Sequence, residues 1–332
     1  MTIATRPLGR TGFQVTVLGY GAMELGDAFG GAGVPDDEAG RLLHAVLDGG
    51  INLIDTSIDY GRSEELIGRY LARRRDEYFL ASKCGCPRGS RYTLKDRQIG
   101  RSRRIIGGRA HNYGPDNIRA GTEQSLRRLR TDRLDLLQVH MSPSRARLEA
   151  DDTVQTLLSL RQAGKVRFIG MSGELPNLPD HLAMGVFDVF QIPYSALQPE
   201  HEDLISAAAA TGAGTLIRGG AARGAPATDK GWQREPIGLA QGEAQRRWQA
   251  SGVQDLLGGM TPMEFVLRYT LSHRGLSSTI VGTSKVSHLR ANLAIADRGP
   301  LPVGLYEQAR KRLHRAAEQA AGGPASQTLR RS

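Results

Sequence analysis

What most constrains this chain is a repeat of form, in which a short apolar run is followed by an amphipathic stretch, over and over. Apolar runs stand at Val17–Gly21, Ile51–Asp55, Tyr78–Lys83, Leu134–His140, Val166–Gly170, Val186–Ile192, Gly214–Ile217 and Thr279–Val281. Short runs without polar alternation read as strands buried on both faces, the mark of a parallel sheet covered by helices. Between them, apolar residues return at spacings of three and four, as in Ala39, Leu42, Leu43, Val46 and Leu47, which predicts helices. Pro35-Asp36-Asp37-Glu38 opens that helix and Gly49-Gly50 closes it. Further helices are predicted over Glu64–Arg74, Asn117–Arg130 (with Asn117 as cap), Thr153–Ala163, His201–Ala210, Pro262–Ser272 and Ser287–Ala296. Eight such strand-and-helix units close most simply into an α/β fold, the (β/α)8 barrel. An open doubly wound sheet is the competitor. No Gly-x-Gly-x-x-Gly opens a helix directly after a strand, so a Rossmann dinucleotide site has no support.

Two segments exceed the repeat. Residues 85–112 lengthen the loop after the third strand, and residues 218–261 form a long connection after the seventh, carrying Trp232, Trp248 and a short predicted helix around Glu243 to Gln249. Both follow strands, which puts them on the C-terminal face where barrel active sites lie. Residues 1–313 read as one barrel domain, and 314–332, ending in Gly322-Gly-Pro-Ala-Ser-Gln, as a disordered tail.

The formal net charge of +10 raises nucleic acid as a partner. Its distribution argues otherwise. Arg88, Arg91, Lys95, Arg97, Arg101, Arg103, Arg104 and Arg109 face one acid, Asp96, so most of the excess sits in a single loop. Only Tyr92 interleaves with these charges, so no platform for stacking bases emerges. A mobile basic flap whose field favours an anionic cofactor or substrate is the better expectation. Cys84 and Cys86, the only cysteines, are too close for a useful disulfide and too few to hold zinc, which wants four ligands, so neither a bridge nor a metal is expected. No apolar run reaches 18 residues, and the start Met-Thr-Ile-Ala-Thr-Arg-Pro-Leu carries no apolar secretion core, so a cytoplasmic location without membrane contact is expected.

The chemistry lies where buried strands end in polar residues, because burying a charge without a partner is costly. Asp55, Lys83 and His140 end the second, third and fourth strands, and Tyr60 follows Asp55 by five residues. Adjacent barrel strands would bring all four to one mouth. A lysine cation near a tyrosine lowers its pKa, and an aspartate beside that lysine keeps it charged. On that reasoning Tyr60 should move toward neutral pH and pass a proton to a carbonyl oxygen that His140 orients.

Around these residues, Gly50-Ile-Asn-Leu-Ile-Asp-Thr-Ser-Ile-Asp-Tyr-Gly-Arg-Ser-Glu-Glu-Leu-Ile-Gly resembles the signature of the aldo-keto reductases. Arg6-Pro-Leu-Gly-Arg-Thr-Gly and Leu18-Gly-Tyr-Gly-Ala-Met resemble that family's opening hairpin and first barrel strand. Gly164-Lys-Val-Arg-Phe-Ile-Gly-Met-Ser resembles its fifth strand, and Ile280-Val-Gly-Thr-Ser-Lys its cofactor segment. The resemblance implies Asp55, Tyr60, Lys83 and His140 as catalytic tetrad, with Tyr60 as proton donor in the reversible reduction of an aldehyde or ketone. It further implies NADPH as cofactor, with NADH possible, Asp55, Ser172 and Gln191 near the nicotinamide carboxamide and Tyr194 stacked on the ring. Ser284 and Lys285 would meet the 2′-phosphate, and His288 and Asn292 the adenosine. Gln191, in an apolar strand, needs a partner for its amide, and a ligand is the expected one. The chain departs from the family pattern at Gly173, at Ala291, at His288, and at Arg218-Gly-Gly where Ser-Pro-Leu is usual. Arg218, with Arg223 close behind, would then take over pyrophosphate. Potassium-channel β subunits resemble the same barrel, so a cofactor-sensing subunit is the alternative function.

Overall fold

The computed structural model of the protein describes residues 3–26, 33–86, 105–106, 109–222 and 244–321. A hairpin of β1 (Thr5–Pro7) and β2 (Gln14–Thr16) leads into β3 (Leu18–Gly21), α1 (Asp36–Asp48), β4 (Leu53–Asp55), α2 (Ser63–Leu71) and β5 (Phe79–Cys84). A two-stranded ribbon, β6 (Ile105–Ile106) and β7 (Arg109–Ala110), precedes α3 (Pro115–Leu129) and β8 (Leu134–Val139). Then follow α4 (Arg145–Ala150), α5 (Thr153–Gln162), β9 (Val166–Ser172), α6 (Leu178–Ala183), β10 (Val189–Pro193), α7 (Glu202–Ala210) and β11 (Gly214–Arg218). Residues 244–251 are helical (α8), and α9 (Pro262–Leu271), β12 (Ser278–Val281), α10 (Val286–Asp297) and α11 (Val303–Ala321) complete the chain.

Strands β3, β4, β5, β8, β9, β10, β11 and β12 pair in parallel and close on themselves, so the eight apolar runs form a (β/α)8 barrel. Helix caps follow local chemistry. Thr261 accepts a hydrogen bond from the Glu264 N–H at 3.1 Å, with Pro262 opening α9. Asn117, expected as the cap of α3, lies within it. Gly114 holds that position and Pro115 starts the helix.

Side chains alternate along a strand, and the barrel interior shows it. Leu53, Phe79, Ala81, Leu136, Val189 and Leu216 fill the lower interior with Leu8 and Val15 of the hairpin. Phe13 meets Phe79 edge-on, with ring centroids 5.2 Å apart, and Phe168 at 5.9 Å, so the hairpin plugs the N-terminal end. The hairpin turn presses close to the wall: a Cβ on Gly9, at φ +50°, would lie 2.2 Å from the Gly214 nitrogen. Two residues further along the same strands the inward positions turn polar, at Asp55, Lys83, Gln138, Ser172 and Gln191. That polar layer is the floor of the barrel mouth.

Asp135, at the start of β8, is buried and bound by Arg75 Nη2 at 2.6 Å, by the Leu80 N–H at 2.8 Å and by Arg167 at 3.1 Å. These contacts fix β5 against β8 at the end opposite the mouth.

The chain stays ordered past Leu313, where a disordered tail was expected. Helix α11 runs to Ala321 because Ala309, Leu313 and Ala316 share one buried face, and because Arg310 and His314 both reach the buried Glu202. Residues 322–332 lie outside the described residues, as do Trp232, Arg223 and most of the basic segment (Arg88, Arg91, Lys95, Arg97, Arg101, Arg103 and Arg104). The base of that segment is tied together, since the Asn112 N–H donates to the Gly85 carbonyl at 2.9 Å.

Candidate active site

Four residues expected to converge do so at the C-terminal end of the barrel. Asp55 ends β4 and Lys83 is the last residue but one of β5, and both are almost fully buried. Lys83 Nζ donates to Asp55 Oδ2 at 2.7 Å and to the Thr56 carbonyl at 2.8 Å. Burial opposes the ammonium, but Asp55 and Tyr60 overcome that effect and hold its pKa above the ordinary lysine value. The Tyr60 ring lies against the same ammonium, 4.8 Å from Nζ to centroid. The Tyr60 and His140 rings are edge to face at 6.4 Å.

The tyrosine does not titrate as expected. Burial is the largest influence and pushes Tyr60 up to about 12, with Lys83 opposing and Asp55 and Asp59 adding to the rise. Lys83 tempers the hydroxyl without bringing it to neutrality, because burial outweighs it and Asp55 and Asp59 add to the rise. His140 is driven the other way, down to about 3, mainly by burial, with Asp59 opposing and Lys83, His111 and Arg218 contributing. At neutral pH the site therefore holds a protonated phenol, an ammonium and an uncharged imidazole beside Asp55.

Gln138 was missed in the sequence. Its Nε2 donates to Asp55 Oδ1 at 2.9 Å, and Gln191 Nε2 donates to that same oxygen at 2.9 Å. Ser172 Oγ donates to Gln191 Oε1 at 3.0 Å. The Gln191 amide therefore finds its partners in the protein, Asp55 and Ser172, and the expectation that it needs a ligand is corrected. A buried oxygen remains on the neighbouring side chain, Gln138 Oε1, which has no hydrogen-bond partner among the described residues.

Tyr194 does not face the mouth. Three residues beyond the inward Gln191, it lies on the outer face of β10, fully buried between Tyr269 and His273, with centroids at 6.3 and 5.4 Å. The expected stacking on a nicotinamide ring is overturned by that packing. Arg218 ends β11, and its Nη2 donates to Glu174 Oε2 at 2.9 Å.

Ser284 and Lys285 precede α10 and His288 lies in its first turn, with Asn292 about a turn further along the helix. Lys285 is the N-cap and makes no side-chain cap bond, and Lys285 and His288 are exposed. A 12-residue helix offers unpaired N–H groups and a positive dipole end there, a natural seat for phosphate. Around His140 stand further polar groups that the sequence did not mark. Cys86 Sγ lies 3.1 Å from His140 Nδ1, and Asp59 Oδ2 lies 3.9 Å from it. The Tyr113 hydroxyl donates to the His140 carbonyl at 2.8 Å.

A model of the aldo/keto reductase family matches residues 17–304. The chain is similar to an L-galactose dehydrogenase of Arabidopsis thaliana, 28% identical over 305 residues and 88% of each chain. It is also similar to an NADH-specific methylglyoxal reductase of Escherichia coli (strain K12), 30% identical over 209 residues, which are 59% of this chain and 60% of that one. Among solved structures, a glycerol dehydrogenase of Gluconobacter oxydans shares the fold with a TM-score of 0.74 at 25% identity, covering 94% of this chain and 95% of that one.

Proposed function

The chain belongs to the aldo/keto reductase family, and on that premise we propose that it reduces an aldehyde or ketone with NADPH, Tyr60 giving the proton. One observation carries the reading: a single ammonium, Lys83 Nζ, touches both the Asp55 carboxylate at 2.7 Å and the Tyr60 ring at 4.8 Å. Such an ammonium stabilises negative charge on the phenol as the proton departs, the moment at which catalysis needs it. A phenol that is protonated at neutral pH is the right starting state for reduction. The neutral imidazole of His140 can hydrogen-bond the carbonyl oxygen without competing as an acid.

The residues present fit a nicotinamide dinucleotide at two points. Gln138 Oε1 and the Ser172–Gln191 pair provide buried amide chemistry at the floor of the mouth, suited to a carboxamide. Lys285 and Ser284 at the start of α10 suit a 2′-phosphate, with His288 and Asn292 toward the adenosine and Arg218 toward the pyrophosphate. When bound, the nicotinamide supplies hydride to the carbonyl carbon. The protein's own part is to hold the substrate oxygen between Tyr60 and His140 and to deliver the tyrosine proton. The NADH specificity of one relative makes the phosphate contact the feature to test. Steady-state oxidation of NADPH and NADH with a panel of aldehydes and ketones tests the whole reading, and no turnover with any carbonyl would refute it.

A further inference from the structure

Beside the reducing centre lies a second cluster. One ligand atom each from Cys86, His111 and His140 falls within 4.8 Å of the other two. Cys86 Sγ and His140 Nδ1 are 3.1 Å apart, and Asp59 Oδ2 is 3.9 Å from the same nitrogen. Asp59 is only 5% exposed, and Oδ2 has no hydrogen-bond partner among the described residues, whereas Oδ1 receives Ser57. A buried carboxylate oxygen left in this state is costly unless a charge is meant to meet it.

We propose that Cys86, His111, His140 and Asp59 form a site for a divalent transition-metal cation of the zinc class, sharing His140 with the reducing centre. A tetrahedral zinc with sulfur at about 2.3 Å and nitrogen or oxygen at about 2.1 Å separates its ligand atoms by roughly 3.3–3.7 Å. The Cys86–His140 and Asp59–His140 separations bracket that range, the His111 nitrogen lies within 4.8 Å of the Cys86 and His140 atoms, and the side chains close on the ion as it binds. The thiol gives up its proton to solvent on coordination, and thiolate and carboxylate together neutralise the dication. A thiolate with two imidazoles selects zinc or cobalt over magnesium or calcium, which prefer oxygen. His111 and Asp59 have no place in the proton transfer proposed above, and Cys86 touches it only through His140. The link to the reaction rests on the role assigned to His140: both close contacts fall on Nδ1, so a metal bound there fixes the tautomer that carries its proton on Nε2, the nitrogen left to meet a carbonyl oxygen.

Cobalt is the probe, because a thiolate–cobalt bond absorbs in the near ultraviolet and tetrahedral cobalt in the visible. Titration of chelator-treated full-length protein should give both bands, saturating at one equivalent. Cys86→Ser should lose the near-ultraviolet band although Cys84 remains, His111→Ala should bind at least tenfold more weakly, and magnesium should not compete. Absence of bands at millimolar cobalt, or unchanged bands in Cys86→Ser, would overturn the site. Bands unchanged in His140→Ala would overturn the sharing of His140. The spectral titration needs no turnover, so an inactive protein that binds cobalt would count against the proposed reaction and not against the site.

Discussion

The Lys83 ammonium sits over the face of the Tyr60 ring at 4.8 Å, while its other side is bonded to Asp55 at 2.7 Å. The lysine thus serves two anions at different times, the standing carboxylate and the phenolate that forms as a proton leaves. Burial above all, with Asp55 and Asp59 adding to it, keeps the proton on the phenol until a substrate oxygen draws it away.

Tyr60→Phe removes the proton and little else. Reduction should fall roughly 10²- to 10⁴-fold, the worth of a positioned general acid. Cofactor Kd, measured by fluorescence quenching, should stay within a factor of about two. A variant that retains most of its turnover would assign the proton to another group.

The dependence on pH follows from the directions of the two shifts. Tyr60, raised to about 12, keeps its proton through the physiological range, and His140, lowered to about 3, stays uncharged there. In the metal-free enzyme, kcat/KM for reduction should therefore be flat between about pH 5 and pH 9. Alcohol oxidation needs the phenolate and should climb with pH across the same interval. A reduction profile that breaks near pH 7 would show that a different group donates.

Lys285→Ala tests the 2′-phosphate contact. A hydrogen bond to a charged group contributes about 1.5–3 kcal/mol, so NADPH should bind one to two decades more weakly and NADH hardly less. Isothermal titration with both cofactors decides it. Equal weakening of the two would move the phosphate away from the start of α10.

Asp135→Asn should damage the fold and spare the chemistry. It leaves Arg75, which is 8% exposed, without its charge partner, a change that costs about 3–5 kcal/mol in buried pairs. Urea denaturation should register that loss, while KM values at low temperature stay close to wild type. Unchanged stability would mean that the Tyr78 and Arg133 carbonyls, to which Arg75 also donates, or solvent supports the arginine instead.

The barrel was legible because buried parallel strands leave unbroken apolar runs, and Asp55, Lys83 and His140 because a polar residue at the end of such a run has few innocent explanations. Gln138 was hidden inside a run, where one amide among Leu136, Leu137 and Val139 reads as tolerated. Counting by twos from Gln191 would have turned Tyr194 outward, and the family resemblance overrode that count. The end of α11 was obscured by its alanines: Ala309 and Ala316 bury little area each, so the apolar stripe they make with Leu313 is faint in sequence. The Tyr60 shift could not be read at all, since burial and the opposing effect of Asp55 on Lys83 are properties of the assembled mouth.

Asp55 gathers donors from three other strands of the barrel wall, Lys83 on β5, Gln138 on β8 and Gln191 on β10. None of the three is carried by a loop. The frame that aims the lysine at Tyr60 is thus mounted on strand register alone, and the long connection that follows β11 in the sequence can be exchanged like a fitting on a fixed mount. Grafting a different 218–261 connection onto this barrel is accordingly a route to new carbonyl specificities, whereas replacing Asp55 would slacken the mount itself and confound any reading of the chemistry.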